Sequence, residues 1–132
     1  MIRIAMPIAA TLALTACAQT PPAESAQDDP LLAQLDTSRS CFIQREVRGY
    51  SAAPDAAYGR QRIFLDTGLD ERFVLETTGP CPELDFSLRA ALSQRTIGSI
   101  CTGDLETLIV PSRIAQDFGQ CPVRVLGRVP KD

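Results

Sequence analysis

Cys121-Pro122-Val123-Arg124-Val125-Leu126-Gly127-Arg128-Val129 decides the fold class. Cys121, Val123, Val125, Gly127 and Val129 fall on one side of a period of two, and Pro122, Arg124, Leu126 and Arg128 on the other. A strand points successive side chains to opposite faces, so the pattern predicts a β-strand with one apolar face. Upstream, Ile63 and Leu65 face Phe73 and Leu75 across the turn Asp66-Thr67-Gly68-Leu69-Asp70-Glu71, which predicts a hairpin. Ile97 to Thr102 and Leu105 to Val110 flank Gly103-Asp104, a frequent turn pair, and predict a second hairpin. Cys41-Ile43-Arg45-Val47 alternates with Phe42-Gln44-Glu46-Arg48 as a further strand. Glu83 to Gln94 fits two periods, with Phe86, Leu88, Ala90 and Leu92 as a strand or Leu84, Leu88, Ala91 and Leu92 as a helical stripe. A turn after Pro82 followed by a strand is the preferred assignment. Short strands separated by turn signals give an all-β expectation, a small antiparallel barrel or sandwich of about six or seven strands.

Five cysteines divide unevenly. Cys41, Cys81, Cys101 and Cys121 form an even set inside the β-rich part, and in an exported chain they predict two disulfides. Their spacings of 40, 20 and 20 residues contain no C-x-x-C knuckle, which argues against zinc. Spacing leaves all three pairings open.

Cys17 stands apart. Arg3 is followed by an apolar run from Ile4 to Leu14, long enough for a signal h-region and too short to span a bilayer. The run ends in Leu14-Thr15-Ala16-Cys17, which resembles the lipobox of bacterial lipoproteins. The resemblance implies a signal peptide over 1–16 and a mature chain anchored through lipid on Cys17. Ala18, where Asp would favour the inner membrane, implies the periplasmic face of the outer membrane. Residues 17–38 include Thr20-Pro21-Pro22 and Gln27-Asp28-Asp29-Pro30 and read as a flexible tether of roughly 25 Å. Leu31, Leu32 and Leu35 could form one amphipathic helical turn within it. Residues 39–132 then form the disulfide-bonded β-domain.

Composition removes several functions. The formal net charge of −3 becomes −4 once Arg3 leaves with the signal, which argues against nucleic acid as a partner. Twelve of the thirteen basic residues are Arg, a bias that a GC-rich genome explains without function. The chain contains no histidine, so the usual general base, the His-dependent triads and His metal ligands are missing. Cysteines held in disulfides supply no thiol nucleophile. Neither a cofactor nor a metal is expected. Asp70-Glu71-Arg72 and Asp104 with Glu106 could meet a cation, but neither has the ligand spacing of an EF-hand loop.

One motif points to an enzyme. Asp66-Thr67-Gly68 resembles the active-site loop of retroviral-type aspartic proteases, small β-proteins that need no histidine and dimerise so that two aspartates share a proton. Val125-Leu126-Gly127-Arg128 occupies the place of their second hydrophobic-Gly element. Leu69 replaces the usual small residue, and Ser87 to Arg95 lacks the glycines of a flap. Hairpin loops favour the same Asp, Thr and Gly for their turn geometry alone.

Ser40-Cys41-Phe42, Gly79-Pro80-Cys81-Pro82-Glu83-Leu84-Asp85-Phe86, Ile100-Cys101-Thr102-Gly103-Asp104 and Cys121-Pro122-Val123-Arg124 together resemble a family of small proteobacterial exported proteins. That family is known only as a domain of unknown function, and many members look like lipoproteins. The resemblance covers about Ser40 to Val129. Some members carry only the cysteines matching Cys81 and Cys121, which implies the pairs Cys81–Cys121 and Cys41–Cys101. It carries over no catalytic or binding residue. The expected function is a non-enzymatic binding or accessory module of the cell envelope, partnered by the membrane and by an envelope protein or glycan. Inhibition of an envelope hydrolase such as a lysozyme is a more specific form of it, and an aspartic protease using Asp66 is the alternative from another class.

Overall fold

A computed structural model describes residues 29–68, 70–86, 91–93, 98–111 and 118–131. The signal segment, Cys17 and the tether up to residue 28 lie outside the described residues. In chain order the elements are α1 (Pro30–Ala33), β1 (Cys41–Ile43), β2 (Gly49–Ala52), β3 (Arg62–Asp66), β4 (Glu71–Thr77), β5 (Ala91–Leu92), β6 (Ser99–Cys101), β7 (Leu105–Pro111) and β8 (Phe118–Pro130). Strands β2-β3-β4-β8-β7-β5, in that order, form a curled antiparallel half-barrel, and β1 pairs with β6 in a separate ribbon. The all-β expectation holds, with eight strands among the described residues.

The predicted β3–β4 hairpin forms, with Ile63 opposite Leu75 and Leu65 opposite Phe73, and its turn is shorter than expected because Asp66 and Glu71 belong to the strands. All four side chains enter one core with Phe42, Leu92, Ile100, Leu108, Val110, Val123 and Val125. The second predicted hairpin does not form. Its turn exists, since Asp104 Oδ2 accepts the Cys101 N–H at 2.7 Å and Gly103 takes φ 92°. The arms diverge, however: β6 pairs with β1 and β7 with β8. Cys41 lies directly opposite Cys101 and is disulfide-bonded to it, which fixes β6 to the ribbon. The strand expected from Cys41 to Arg48 likewise stops at Ile43, where a single 3-10 turn, Gln44–Glu46, takes over. After Pro82 the chain makes a 3-10 turn, Pro82–Phe86; residues 87–90 of the expected strand lie outside the described residues, and the next described strand is Ala91–Leu92.

Side chains close the half-barrel where its backbone does not. Tyr50 on edge strand β2 accepts the Leu92 N–H of edge strand β5 through its hydroxyl at 3.1 Å. The Gln44 amide donates to the Leu92 carbonyl at 2.8 Å. Burial pushes the Tyr50 hydroxyl pKa up, partly offset by that Leu92 N–H.

Strand β8 departs from its simple alternation. Val74 pairs with Gly127 but Leu75 pairs with Val125, so Leu126 is an extra residue bulged out of the ladder. One inserted residue reverses the facing of everything beyond it. Cys121, Val123 and Val125 therefore enter the main core, whereas Val129 enters a second cluster with Leu31, Phe64 and Val74. The predicted single face of β8 is two half-faces.

That second cluster is covered by residues 29–38, which the sequence assigned to the tether. Asp29 caps α1 through bonds from the Leu31 and Leu32 N–H groups, Pro30 starts the helix, and Leu31 is buried. Asp36 then forms an isolated bridge to Arg128: its N–H donates to the Arg128 carbonyl at 2.8 Å, and the Arg128 N–H returns a bond at 3.0 Å. This strap thus extends the folded unit N-terminally to Asp29. Gly127 makes the approach possible, because a Cβ there would run into the Asp36 carbonyl and its φ of 157° suits glycine.

The second disulfide, Cys81–Cys121, ties the segment after β4 to the central strand. The two bridges span sequence separations of 60 and 40 residues. Bridges of that span stabilise by about 4 kcal/mol each in the chain-entropy account. The loop from β2 to β3 closes through the Ala56 N–H donating to the Arg60 carbonyl at 2.8 Å. At its tip Tyr58 (φ 62°, ψ 27°) and Gly59 (φ 72°) are consecutive left-handed residues. Glycine adopts that conformation freely, and tyrosine does so at a cost of about 1–2 kcal/mol. Tyr58 is 85% exposed, so its own burial does not offset that cost.

Candidate functional site

Asp66 ends β3, where Arg72 is its partner across the hairpin. Its Oδ2 lies 3.3 Å from Lys131 Nζ. In the Asp-Thr-Gly enzymes the carboxylate that shares the proton comes from the second copy of the dimer. Here the neighbouring charge is an ammonium. Gly68 takes no positive φ, and a Cβ there would meet no atom within 4 Å, so its turn does not require glycine. Leu69 and, of the expected flap segment Ser87 to Arg95, residues 87–90, 94 and 95 lie outside the described residues.

The acidic clusters are used within the fold. Glu71 Oε2 accepts from Arg128 Nη1 at 2.8 Å, and Arg72 stacks over the Phe64 ring 3.7 Å from its centroid. Asp104 caps its own turn. Cys81, Glu83 and Cys121 place three possible metal donors within 4.8 Å, but the two sulfurs are joined to each other and cannot act as thiolate ligands.

The densest electrostatic centre was not among the predicted sites. Arg62, its side chain 2% exposed, donates from Nε to Glu76 Oε2 at 2.7 Å and from Nη1 to Asp29 Oδ2 at 2.5 Å. Arg60 meets the other Glu76 oxygen at 2.9 Å. Burial pulls the Arg62 pKa down, and the bonds to Asp29 and Glu76 more than reverse it, leaving the value raised. Burial likewise pushes the Asp29 carboxyl up, but Arg62 and the Leu31 and Leu32 N–H groups hold it below its ordinary value. Asp36 is also lowered, first by hydrogen bonds from Ser38 and then by Arg128. These groups fasten the strap at both ends. The sequence carried one signal, since Asp-Pro is a helix-start pair, whereas Arg62 opposite Glu76 follows from the register that the β3–β4 hairpin adopts.

An open groove of about 570 Å³ runs along Ile43, Gln44, Arg45 and Gly98. It lies beside the Tyr50–Leu92 seam, because Gln44 belongs to both. Gln44 is committed to Leu92, so the described lining offers a ligand the apolar surface of Ile43 and the exposed guanidinium of Arg45. Neither Gln44 nor Tyr50 was singled out in the sequence, since a seam between strands distant in the chain has no local pattern.

No match is found among curated proteins or among solved structures. A family model does match, over residues 1–130, and it reaches well beyond the Ser40 to Val129 region in which the cysteine blocks suggested a domain of unknown function. Over that length the chain belongs to the family of unknown function DUF6491.

Proposed function

We propose that this protein is a non-enzymatic binding or accessory module of the bacterial cell envelope, held at the periplasmic face of the outer membrane by lipid on Cys17. The observation that carries the proposal is the distribution of cysteines. Cys41, Cys81, Cys101 and Cys121 are used up in two disulfides, which suits an oxidising compartment and leaves Cys17, behind Leu14-Thr15-Ala16, as the odd one. Two or more acyl chains there give stable anchoring. An envelope protein or a glycan is the expected ligand, and the groove beside the seam is the place for it. The Asp66–Lys131 pairing supports a structural use of the Asp-Thr-Gly loop.

The test is Cys17→Ser in cells fed an alkyne-tagged fatty acid. The native chain should take up label and fractionate with the outer membrane, and the variant should lose both. A variant that stays in the outer-membrane fraction puts the anchor elsewhere, and an unlabelled native chain removes the lipid.

A further inference from the structure

The β2–β3 loop is unusual for a turn. From Ala52 to Gly59 it reads Ala-Ala-Pro-Asp-Ala-Ala-Tyr-Gly, with Asp55 as the one charge. Ala52, Pro54, Ala57 and Tyr58 are all exposed. Tyr58 sits at the tip in a left-handed conformation that Asn or Gly would hold with less strain. Neither local backbone preference nor burial explains a tyrosine there, which leaves a contact outside the chain.

The strap says what lies on that side. It runs along the sheet from Asp29, bonded to Arg62, to Asp36, bonded to Arg128. Arg62 begins β3 immediately after this loop, while Arg128 lies opposite Phe73, toward the β3–β4 turn. The chain therefore enters the domain at the end that carries Tyr58. Eleven residues lie between Cys17 and Asp29 at that entry point, a reach of at most about 40 Å.

We infer that the Tyr58 loop docks on the bilayer, with the Tyr58 ring at headgroup depth, and so orients the domain with its β3–β4 turn away from the membrane. This rests on the Cys17 anchor proposed above. An amphipathic ring flanked by small apolar residues and one charge suits the headgroup zone, where tyrosine is enriched. The anchor supplies the high local concentration that a contact of one loop requires.

The chain contains no tryptophan, so one introduced indole reports its own surroundings. Tyr58→Trp and, on the β3–β4 turn, Asp70→Trp are each made in the full chain, purified from membranes and reconstituted into phosphatidylcholine vesicles with and without brominated acyl chains. Flotation scores the anchor and fluorescence scores the docking. The expected result is co-flotation of both variants, with a blue shift and loss of emission in brominated vesicles for Tyr58→Trp alone. Floating protein whose Tyr58→Trp emission stays red and unquenched overturns the docking, leaves the anchor intact and gives the loop to a protein partner. Equal quenching at both positions overturns the orientation. Protein that does not float overturns the anchor and the docking with it.

Discussion

Replacing Gly127 by Ala separates two accounts of residues 29–38, a strap built into the fold or a tether resting on it. The methyl group would enter the space of the Asp36 carbonyl, and φ of 157° is a region essentially reserved for glycine. The backbone term alone costs about 1–3 kcal/mol. Relief of the clash requires the strap to lift at Asp36, breaking both bonds to Arg128, worth about 1 kcal/mol each. Exposure of Leu31 adds about 1–2 kcal/mol if α1 follows. The sum is about 3–7 kcal/mol, a large share of the 5–15 kcal/mol typical of a domain. Urea unfolding of the oxidised chain measures it, with Gly68→Ala as the control, because no atom lies within 4 Å of a Cβ there. The control should stay within about 0.5 kcal/mol of the parent. Limited proteolysis should show new cleavage between Pro30 and Ser38 in Gly127→Ala only. Equal urea midpoints for the two variants would refute the account of the strap as part of the folded unit.

Arg62→Ala leaves Glu76 and Asp29 without their shared guanidinium and should cost about 3–5 kcal/mol; combining Arg62→Leu with Glu76→Leu should recover much of it, and a neutral Arg62→Ala would show that the strap is held by its leucines instead. Acid should release the strap early. The Asp29 and Asp36 carboxyls are lowered in the folded state, so their contribution is complete above the unfolded value near pH 4 and disappears as pH falls through the lower folded values. Hydrogen-exchange protection of the Leu31 and Leu32 amides, which Asp29 accepts, should therefore drop below about pH 4 while β4 and β8 remain protected; constant protection down to about pH 2 contradicts it.

Local alternation made the β3–β4 hairpin and the inner half of β8 legible, because there each residue's face follows from its neighbours. The Leu126 bulge was not legible: Cys121 to Val129 alternates without a break, and the reversal arises only from pairing with Val74 and Leu75. The Gly103–Asp104 turn was recognised while its arms were misassigned, since a turn says nothing about which strand each arm meets. Residues 29–38 were discounted for their polar, proline-bearing sequence, yet the same Asp-Pro pair starts α1 and supplies the carboxylate for Arg62. Of the predicted site residues, the four domain cysteines pair as the family resemblance implied, and Asp66 lies beside Lys131.

The bridges Cys41–Cys101 and Cys81–Cys121 interlace: each loop encloses one cysteine of the other. A chain oxidised from its N-terminus as it emerges would join Cys41 to Cys81 and Cys101 to Cys121, and both links are wrong. The last cysteine sits in β8, the strand between β4 and β7, so the correct partner for Cys81 arrives after most of the chain. A chain oxidised in that order reaches the native pairing only through reshuffling, in which a thiolate attacks a misplaced bridge and frees its partner. For such a chain the yield of folded protein is set by thiol–disulfide isomerase capacity as well as by the stability of the finished fold.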